Sequence, residues 1–352
     1  MRPSALGLTV GVLPPGPRDS ITDVSGVRVG HATLLDDERG LRTGVTIVKP
    51  CRDPWGERPV AACDAYNGFG KSLGLVQVEE LGEIETAIGL TNTLAVWTVA
   101  QRIAQRCLER ASGALSVNPV VGECNDGLLS DIRSFPIGPE HVDAAFEALS
   151  DRVEEGSVGA GAGMRGFGYK AGVGTASRVV SVSGRPLTVG VLVLTNTGSL
   201  EDLRIDGFPV GRWLSGAAAS PLPAEALGVA TDRDAGSIMM VCSSDAPVDA
   251  RQLRRIARRC ALGLARVGGT AGHGSGDITI AFAPRSDERI DDKLLSALFG
   301  AAVEATEAAV VHSLFAAEAC NQRDGTVVPA IPHKEVAERV LRARRALLSQ
   351  TT

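Results

Sequence analysis

Two glycine-rich segments have the spacing of nucleotide-binding loops, and both lack part of the pattern. Residues 161–166 match G-x-G-x-x-G, which in dinucleotide-binding proteins opens a helix whose N-terminus holds the pyrophosphate. The residues that follow contain too many glycines to open a helix, and no acidic residue stands at the ribose-binding distance. The segment Ala65–Ser72, AYNGFGKS, ends like a phosphate-binding loop, but alanine occupies the position of the first glycine. We therefore expect a strand-end turn at 65–72 and no nucleotide site at either segment.

The histidines and serines form no common catalytic or metal-binding motif. The five histidines show neither H-E-x-x-H nor H-x-H spacing; they are His31, His141, His273, His312 and His333. Ser275 lies in G-H-G-S-G, which is out of register with the G-x-S-x-G nucleophile elbow. The sequence therefore predicts no metal, no cofactor and no Ser-His-Asp triad built on such an elbow.

Composition and charge favour a globular protein without a nucleic-acid partner. Of the 352 residues, 44% are hydrophobic and 22% charged, which is the balance of a chain that buries a substantial core. The formal net charge is -5, so no general positive field attracts a polyanion. Arginines concentrate at 251–259, but apolar residues repeat there at helical spacing and leave the arginines on the opposite, solvated face. These apolar residues are Leu253, Ile256, Ala257, Cys260 and Leu264.

Cysteine use and the apolar segments favour a reducing compartment, which we take to be the cytoplasm. The seven cysteines are an odd number and form no C-x-x-C pair, which argues against a disulfide framework or a zinc ribbon. Glycine and proline interrupt the N-terminal apolar run, unlike in a signal peptide. No stretch approaches the roughly 20 apolar residues that span a bilayer, so no membrane partner is expected.

The segments that would position a site form strands and helices in blocks. Early strands are predicted at Val27–Leu34 and Gly44–Lys49, and a helix at Leu94–Arg110 with Thr93 as its N-cap. A glycine-dense tract at 156–174 predicts a flexible, backbone-exposing loop before a hairpin, and the proline-rich stretch 207–234 predicts an exposed connection. The elements predicted from the hairpin onward are strands Thr175–Val182, Leu187–Leu194 and Ser237–Cys242, helix Asp249–Val267, a glycine-rich loop Gly268–Gly276, strand Ile278–Ala283, an amphipathic helix Asp291–Ala319 and a helix His333–Leu348. This order fits a layered α+β architecture better than a doubly wound parallel sheet, as one domain or as two tightly fused halves.

Ten segments, in order along nearly the whole chain, resemble one family of hydrolases. They are ITDVSGVRVGH at 21–31, TGVT at 43–46, NG at 67–68, IGLTNT at 88–93, VGECNDG at 121–127, KAGVGTASR at 170–178, VGVLVLTNTG at 189–198, GSI at 236–238, DAP at 245–247 and GSGD at 274–277. The family is that of the L-aminopeptidase/D-amidase-esterases and β-peptidyl aminopeptidases, which includes nylon-oligomer hydrolases. The order and spacing of so many segments are far more specific than any one of them.

The resemblance implies a four-layer αββα sandwich, similar to N-terminal-nucleophile hydrolases, with a topology shared with ornithine acetyltransferase. It also implies one catalytic domain, residues 1–352, that is made inactive and cuts itself between Gly236 and Ser237 into fragments 1–236 and 237–352. Assembly as a homotetramer is implied in the same way. A serine hydroxyl needs a base, and the freed α-amine of Ser237, with an unperturbed pKa of about 7.7–8.0, would supply one.

The resemblance also assigns roles to residues around the nucleophile. Asn196 would donate its side-chain amide to the oxyanion; the alternative is a strand-end asparagine that closes a turn. Ser275 and Asp277 would orient Ser237, because residues two apart lie on the same face of an extended strand. The alternative is that the two residues form a polar turn at the start of the strand. Lys170 would tune the charge near Ser237 or support self-cleavage, unless it is a surface lysine.

Substrate recognition is assigned to a second group. Glu123 would bind the protonated amine of the substrate, because a carboxylate in a partly desolvated pocket forms a strong charge-assisted bond to an ammonium. Asn125 stands where some aminopeptidases of the family have tyrosine, which leaves the preferred substrate open. The expected function is hydrolysis of amide bonds next to a free amine in short peptides, amino-acid amides or esters, or β-peptides. One alternative is cleavage of ω-amino-acid (nylon-type) oligomers, and another is an uncleaved binding protein. A third is N-acyl transfer of the ornithine acetyltransferase type, but Ser237 argues against it because threonine is expected at that position in acetyltransferases.

Overall fold

The computed structural model of the chain describes residues 1–215, 235–321 and 325–350. The predicted exposed connection at 207–234 lies outside the described residues from 216 onward. The strands are β1 (Arg28–Asp36), β2 (Leu41–Lys49), β3 (Val60–Gly68), β4 (Ile88–Asn92), β5 (Val120–Cys124), β6 (Arg165–Gly166), β7 (Tyr169–Lys170), β8 (Val173–Val182), β9 (Arg185–Asn196), β10 (Ala235–Ser244), β11 (Gly274–Ala283), β12 (Cys320–Asn321) and β13 (Val327–Val328). The α-helices are α1 (Pro54–Glu57), α2 (Leu75–Leu81), α3 (Val96–Leu108), α4 (Pro139–Glu147), α5 (Val210–Leu214), α6 (Ala250–Arg266), α7 (Leu295–Ala316) and α8 (His333–Gln350).

Two sheets form the centre of the fold. A four-stranded sheet has the order β1-β2-β4-β5, and a five-stranded sheet has the order β3-β11-β10-β9-β8. Most neighbouring strands are antiparallel, while β4 and β5 are parallel, as are β10 and β11. The strand that contains Ser237, β10, therefore lies in the middle of the five-stranded sheet.

Alternating side chains on each strand pack against helices on one face and against the other sheet on the opposite face. In β2, Ile47 packs with residues of α3 and α4, whereas the next residue, Val48, packs between the two sheets. In β10, Met240 packs with α6 and α7, whereas Met239 faces the four-stranded sheet. The layers are thus helices, sheet, sheet and helices, and the predicted αββα sandwich is confirmed.

Two helix predictions are wrong in detail. Asn92, rather than Thr93, is the cap before α3, because its Oδ1 accepts from the backbone N–H groups of Leu94 and Ala95, each at 3.0 Å. The helix α7 is not amphipathic, since it packs against β8, β9 and α6 and buries residues on every side. The segment Asp292–Ala316 is also long and apolar enough to cross a bilayer, contrary to the expectation, but 72% of its most apolar window is buried, as in a core helix. The prediction for α6 is confirmed, because its apolar face is buried and its arginines form ion pairs on the outer face.

The glycine-dense tract is buried and closely packed, not exposed as predicted. Residues Gly159–Gly163 form a buried 3-10 turn rather than the start of an α-helix. Gly172, with φ of +156°, lies so close to Gly156 that an added Cβ would be 1.9 Å from its carbonyl oxygen. Glycine is needed here because backbone packs directly on backbone. The predicted hairpin that follows is confirmed as β8 and β9.

Candidate active site

Ser237 lies near the start of the central strand β10, between the two strands that carry other predicted residues. In the sheet register it is opposite Asn196 of β9 and Gly276 of β11, and it is only 5% exposed. Its Oγ donates to the carbonyl oxygen of Gly236 at 2.5 Å and accepts from the N–H of Gly276 at 3.3 Å. The hydroxyl is therefore held beside the carbonyl group of the peptide bond that the sequence predicts to be cut.

A cavity of about 620 Å³ opens over Ser237. The predicted residues in its wall are Glu123, Asn125, Asn196, Gly236 and Ser237. Sequence reasoning missed other wall residues: Phe69, Lys71, Thr93, Leu128, Arg165, Phe167, Thr197, Leu200 and Glu201. The signal for Phe69 and Lys71 was the segment AYNGFGKS, where the predicted strand-end turn is confirmed because β3 ends at Gly68.

The side chain of Asn196 is held at both ends. Its Oδ1 accepts from the N–H of Arg165 at 3.1 Å, and its Nδ2 donates to the carbonyl oxygen of Asn125 at 2.9 Å. These two contacts determine which end of the amide is nitrogen, because only the nitrogen can donate. An amide nitrogen carries two N–H groups, so the second can serve an oxyanion in the cavity that Asn196 lines.

Glu123 lies at the end of β5 and is 3% exposed. Its Oε1 accepts from the backbone N–H of Lys71 at 2.9 Å, and its Oε2 accepts from the hydroxyl of Thr93. Each oxygen keeps further acceptor capacity, so the carboxylate can also bind an ammonium group from the cavity.

Ser275 and Asp277 form a buried pair beside the bond that is predicted to be cut. The Ser275 Oγ donates to the Asp277 Oδ1 at 3.0 Å, and the Asp277 Oδ2 has no hydrogen-bond partner in the described part of the chain. Burial raises the pKa of Asp277 to about 6, against the smaller effect of the Ser275 hydroxyl, which lowers it. In the register Ser275 is beside Gly236 and Asp277 beside Ile238, on the face opposite to the Ser237 side chain. The pair therefore flanks the bond, and in the continuous chain the Ser237 hydroxyl is hydrogen-bonded to Gly236 and Gly276 rather than to either side chain of the pair.

Lys170 is fully buried, so the interpretation as a surface lysine is wrong. Its Nζ donates to the carbonyl oxygens of Gly161 and Ala171 at 3.0 and 2.6 Å, and burial lowers its pKa to about 7. The structure places the amine against the glycine-dense tract and not in the cavity wall. Within the described ranges, no three histidine, cysteine, aspartate or glutamate side chains are grouped so as to hold a metal ion.

Comparison with known proteins gives relatives along nearly the whole chain. The model of peptidase family S58 matches residues 19–328. The β-peptidyl aminopeptidase BapA of Sphingosinicella microcystinivorans is 37% identical, over 94% of this chain and 90% of its own. A solved β-aminopeptidase from a Burkholderia species is 36% identical with a TM-score of 0.86, over 96% of this chain and 98% of its own. The L-aminopeptidase D-Ala-esterase/amidase of Ochrobactrum anthropi, described as a prototype of the serine aminopeptidases and a new variant of the Ntn hydrolase fold, is 34% identical with a TM-score of 0.84, over 97% of this chain and 98% of its own.

Proposed function

This chain belongs to peptidase family S58, and we propose that it cuts itself before Ser237 and then acts as an N-terminal-serine aminopeptidase. Its membership and relatives make it a hydrolase of the serine aminopeptidase and amidase type. One observation carries the proposal: Glu123, Asn196 and Ser237 line the same cavity. They offer a carboxylate for an amine, an amide donor for an oxyanion and a hydroxyl as the nucleophile.

Self-cleavage begins from the contact between the Ser237 hydroxyl and the carbonyl group of Gly236. The Oγ attacks the carbonyl carbon, the peptide C–N bond breaks, and the hydroxyl proton ends on the nitrogen of Ser237. Water then hydrolyses the ester, which leaves a carboxylate on Gly236 and both a free amine and a free hydroxyl on Ser237. The products are the fragments 1–236 and 237–352 of one catalytic domain.

The freed amine then serves as the base for the neighbouring hydroxyl. It takes the Oγ proton as Oγ attacks the substrate carbonyl, and the free N–H of Asn196 stabilises the resulting oxyanion. The proton passes to the leaving amine, and water releases the acyl group from Ser237 in a second round. The unpartnered Oδ2 of Asp277, beside the new chain end, can accept an N–H from that amine and orient it.

The substrates we propose are short peptides, amino-acid amides or esters, and β-peptides with a free amine. The reason is that the buried carboxylate of Glu123 can form a charge-assisted hydrogen bond to a protonated amine in the cavity. Oligomers of ω-amino acids carry the same amine and are the second hydrolase candidate, and transfer of the acyl group to an amine instead of water is the third outcome to measure. On the family resemblance alone we extend the proposal to a homotetramer of cleaved protomers. The cysteine usage extends it to the cytoplasm, and the lack of a metal or nucleotide motif extends it to an enzyme that needs no cofactor.

Denaturing electrophoresis and N-terminal sequencing test the self-cleavage. We expect two fragments, the smaller one starting at Ser237, and a single inactive chain for Ser237→Ala. Normal fragments from Ser237→Ala, or full activity of uncut protein, would overturn the mechanism and leave a binding protein or another catalytic site. A panel of amino-acid p-nitroanilides, β-dipeptides and ω-amino-acid oligomers, assayed on cleaved protein, then separates the substrate classes.

A further inference from the structure

A buried carboxyl group, that of Asp126, lies behind the cavity and has no hydrogen-bond partner in the part of the chain that the structure describes. Asp126 follows β5 and has no exposed surface. Neither of its side-chain oxygens has a partner among the described residues. Since the large majority of buried side-chain polar atoms in proteins are paired, such a group calls for an explanation. An isolated buried carboxylate is strongly disfavoured, so the group gains by remaining protonated.

Among the described residues, no cationic side chain forms a hydrogen bond or an ion pair with Asp126. Thr43 of β2 and Asn92 of β4 lie near it and bond to each other, the Asn92 Nδ2 donating to the Thr43 Oγ1 at 2.9 Å. Gly163 packs against it so closely that an added Cβ would be 2.5 Å from the Asp126 Cβ. The charged group that acts on it is Glu123, of its own segment, which raises its pKa. Burial is the largest effect on the pKa of Asp126 and raises it, polar contacts with Thr43, its own backbone and Asn92, which fall short of hydrogen-bond geometry, lower it, and the result is a pKa of about 7.

The same short segment carries or holds the groups of the cavity wall. The carbonyl oxygen of Asn125 accepts from the Asn196 Nδ2 at 2.9 Å, so Asn125 helps to aim the amide. The carbonyl oxygen of Asp126 accepts from the N–H groups of Leu129 and Ser130, both at 2.9 Å, which closes the turn after β5. A shift of the Asp126 side chain would therefore move Asn125 and, through it, Asn196.

We propose that Asp126 is a positioning residue whose carboxyl group works in its neutral form. It fills the space between β2, β4 and Gly163 without a charge, and thereby keeps the turn after β5 in place beside Asn196 and Glu123. Loss of its proton puts a second buried negative charge on the segment that carries Glu123, displaces the turn and lowers activity. The expected loss of activity rests on the proposed function, whereas the expected effect of the charge on the turn and on stability does not.

The kinetic test is the pH profile of kcat/KM for the cleaved wild type, Asp126→Asn and Asp126→Ala. We expect the wild type to lose activity on the alkaline side, and Asp126→Asn, which is neutral and of the same shape, to lack that decline. Asp126→Ala should lower kcat by about 100-fold, as expected when catalytic groups move by about 1 Å. The control is Asp37→Asn, whose carboxylate is 81% exposed, and it should keep the wild-type profile. An alkaline decline in Asp126→Asn like that of the wild type would overturn the proposal.

A stability test works without catalysis and so separates this inference from the proposed function. Thermal unfolding is followed from pH 4 to 9 in the Ser237→Ala chain with and without Asp126→Asn. A carboxyl group whose pKa is raised on folding binds its proton more tightly in the folded state, so stability falls as pH rises from the unfolded pKa, about 4, to the folded one. We expect Asp126→Asn to remove this part of the fall, so that the melting temperature of the variant exceeds that of its parent by a margin that grows up to about pH 7. A difference that does not vary with pH, or a variant that fails to fold, would show that the neutral carboxyl is not what the site requires.

Discussion

Replacing Glu123 with glutamine tests amine recognition with little change of shape. The carboxylate is 3% exposed and is held by the N–H of Lys71 and by the hydroxyl of Thr93. Glutamine can keep its oxygen on Lys71 and place its NH₂ group at Thr93, where the hydroxyl can turn and accept. The variant is therefore expected to fold and self-cleave, and to lack only the negative charge.

The size of the effect follows from the bond that is lost. Hydrogen bonds to charged groups contribute about 1.5–3 kcal/mol net, because desolvation offsets most of their gross strength. Since about 1.36 kcal/mol corresponds to a factor of ten in rate, kcat/KM for substrates with a free amine should fall about 10- to 150-fold. A substrate whose amine is acetylated gains nothing from the carboxylate, so its kcat/KM should stay near the wild-type value.

The assay compares p-nitrophenyl esters of one amino acid with free and with acetylated amine, on cleaved protein. Glu201→Gln is the matched control, because it removes the same charge from another part of the same cavity wall. Equal losses on both esters would refute the assignment of Glu123 to the amine. If Glu201→Gln also lowered kcat/KM for the free-amine ester more than for the acetylated one, the amine would be attracted by the overall charge of the cavity rather than by Glu123.

Asn196→Ala removes the amide that faces the cavity, so kcat on cleaved protein should fall about 100- to 1,000-fold with little change in KM; an unchanged kcat would exclude the oxyanion role. Gly236→Ala adds a Cβ 2.9 Å from the Thr197 Oγ1, so the appearance of the two fragments on denaturing gels should slow. Gly300→Ala, whose Cβ meets nothing within 4 Å, should cleave at the wild-type rate, and equal rates for both variants would contradict the packing argument. In cleaved Asp277→Asn we expect kcat/KM at pH 8 to be about tenfold below the wild-type value, since a charge-assisted bond to the chain-end amine is removed. An unchanged kcat/KM in this variant would exclude Asp277 from orienting the amine.

Local patterns were sufficient for most of the elements. The alternating and β-branched residues of β8 and β9, with a glycine turn between them, predict a hairpin that is present in the structure. The periodicity of α6 predicts both its length and its buried face, because an amphipathic helix needs only one apolar stripe. The failures fall where tertiary contacts override local signals. The helix α7 is enclosed on every side, and a helix of that kind has apolar residues all round instead of one apolar stripe.

For the site, the sequence alone determined the residue types and, through the family resemblance, the positions at which they stand. It did not determine their neighbours. Ser237 and Asn196 become opposite residues only through the register of β9 and β10, and Glu123 reaches them only because the second sheet packs across the first. The burial of Lys170 likewise depends on glycine backbone that folds over it from 156–174. Contacts between distant segments set register, burial and the resulting pKa values, since desolvation depends on everything that surrounds a group and not on its place in the chain.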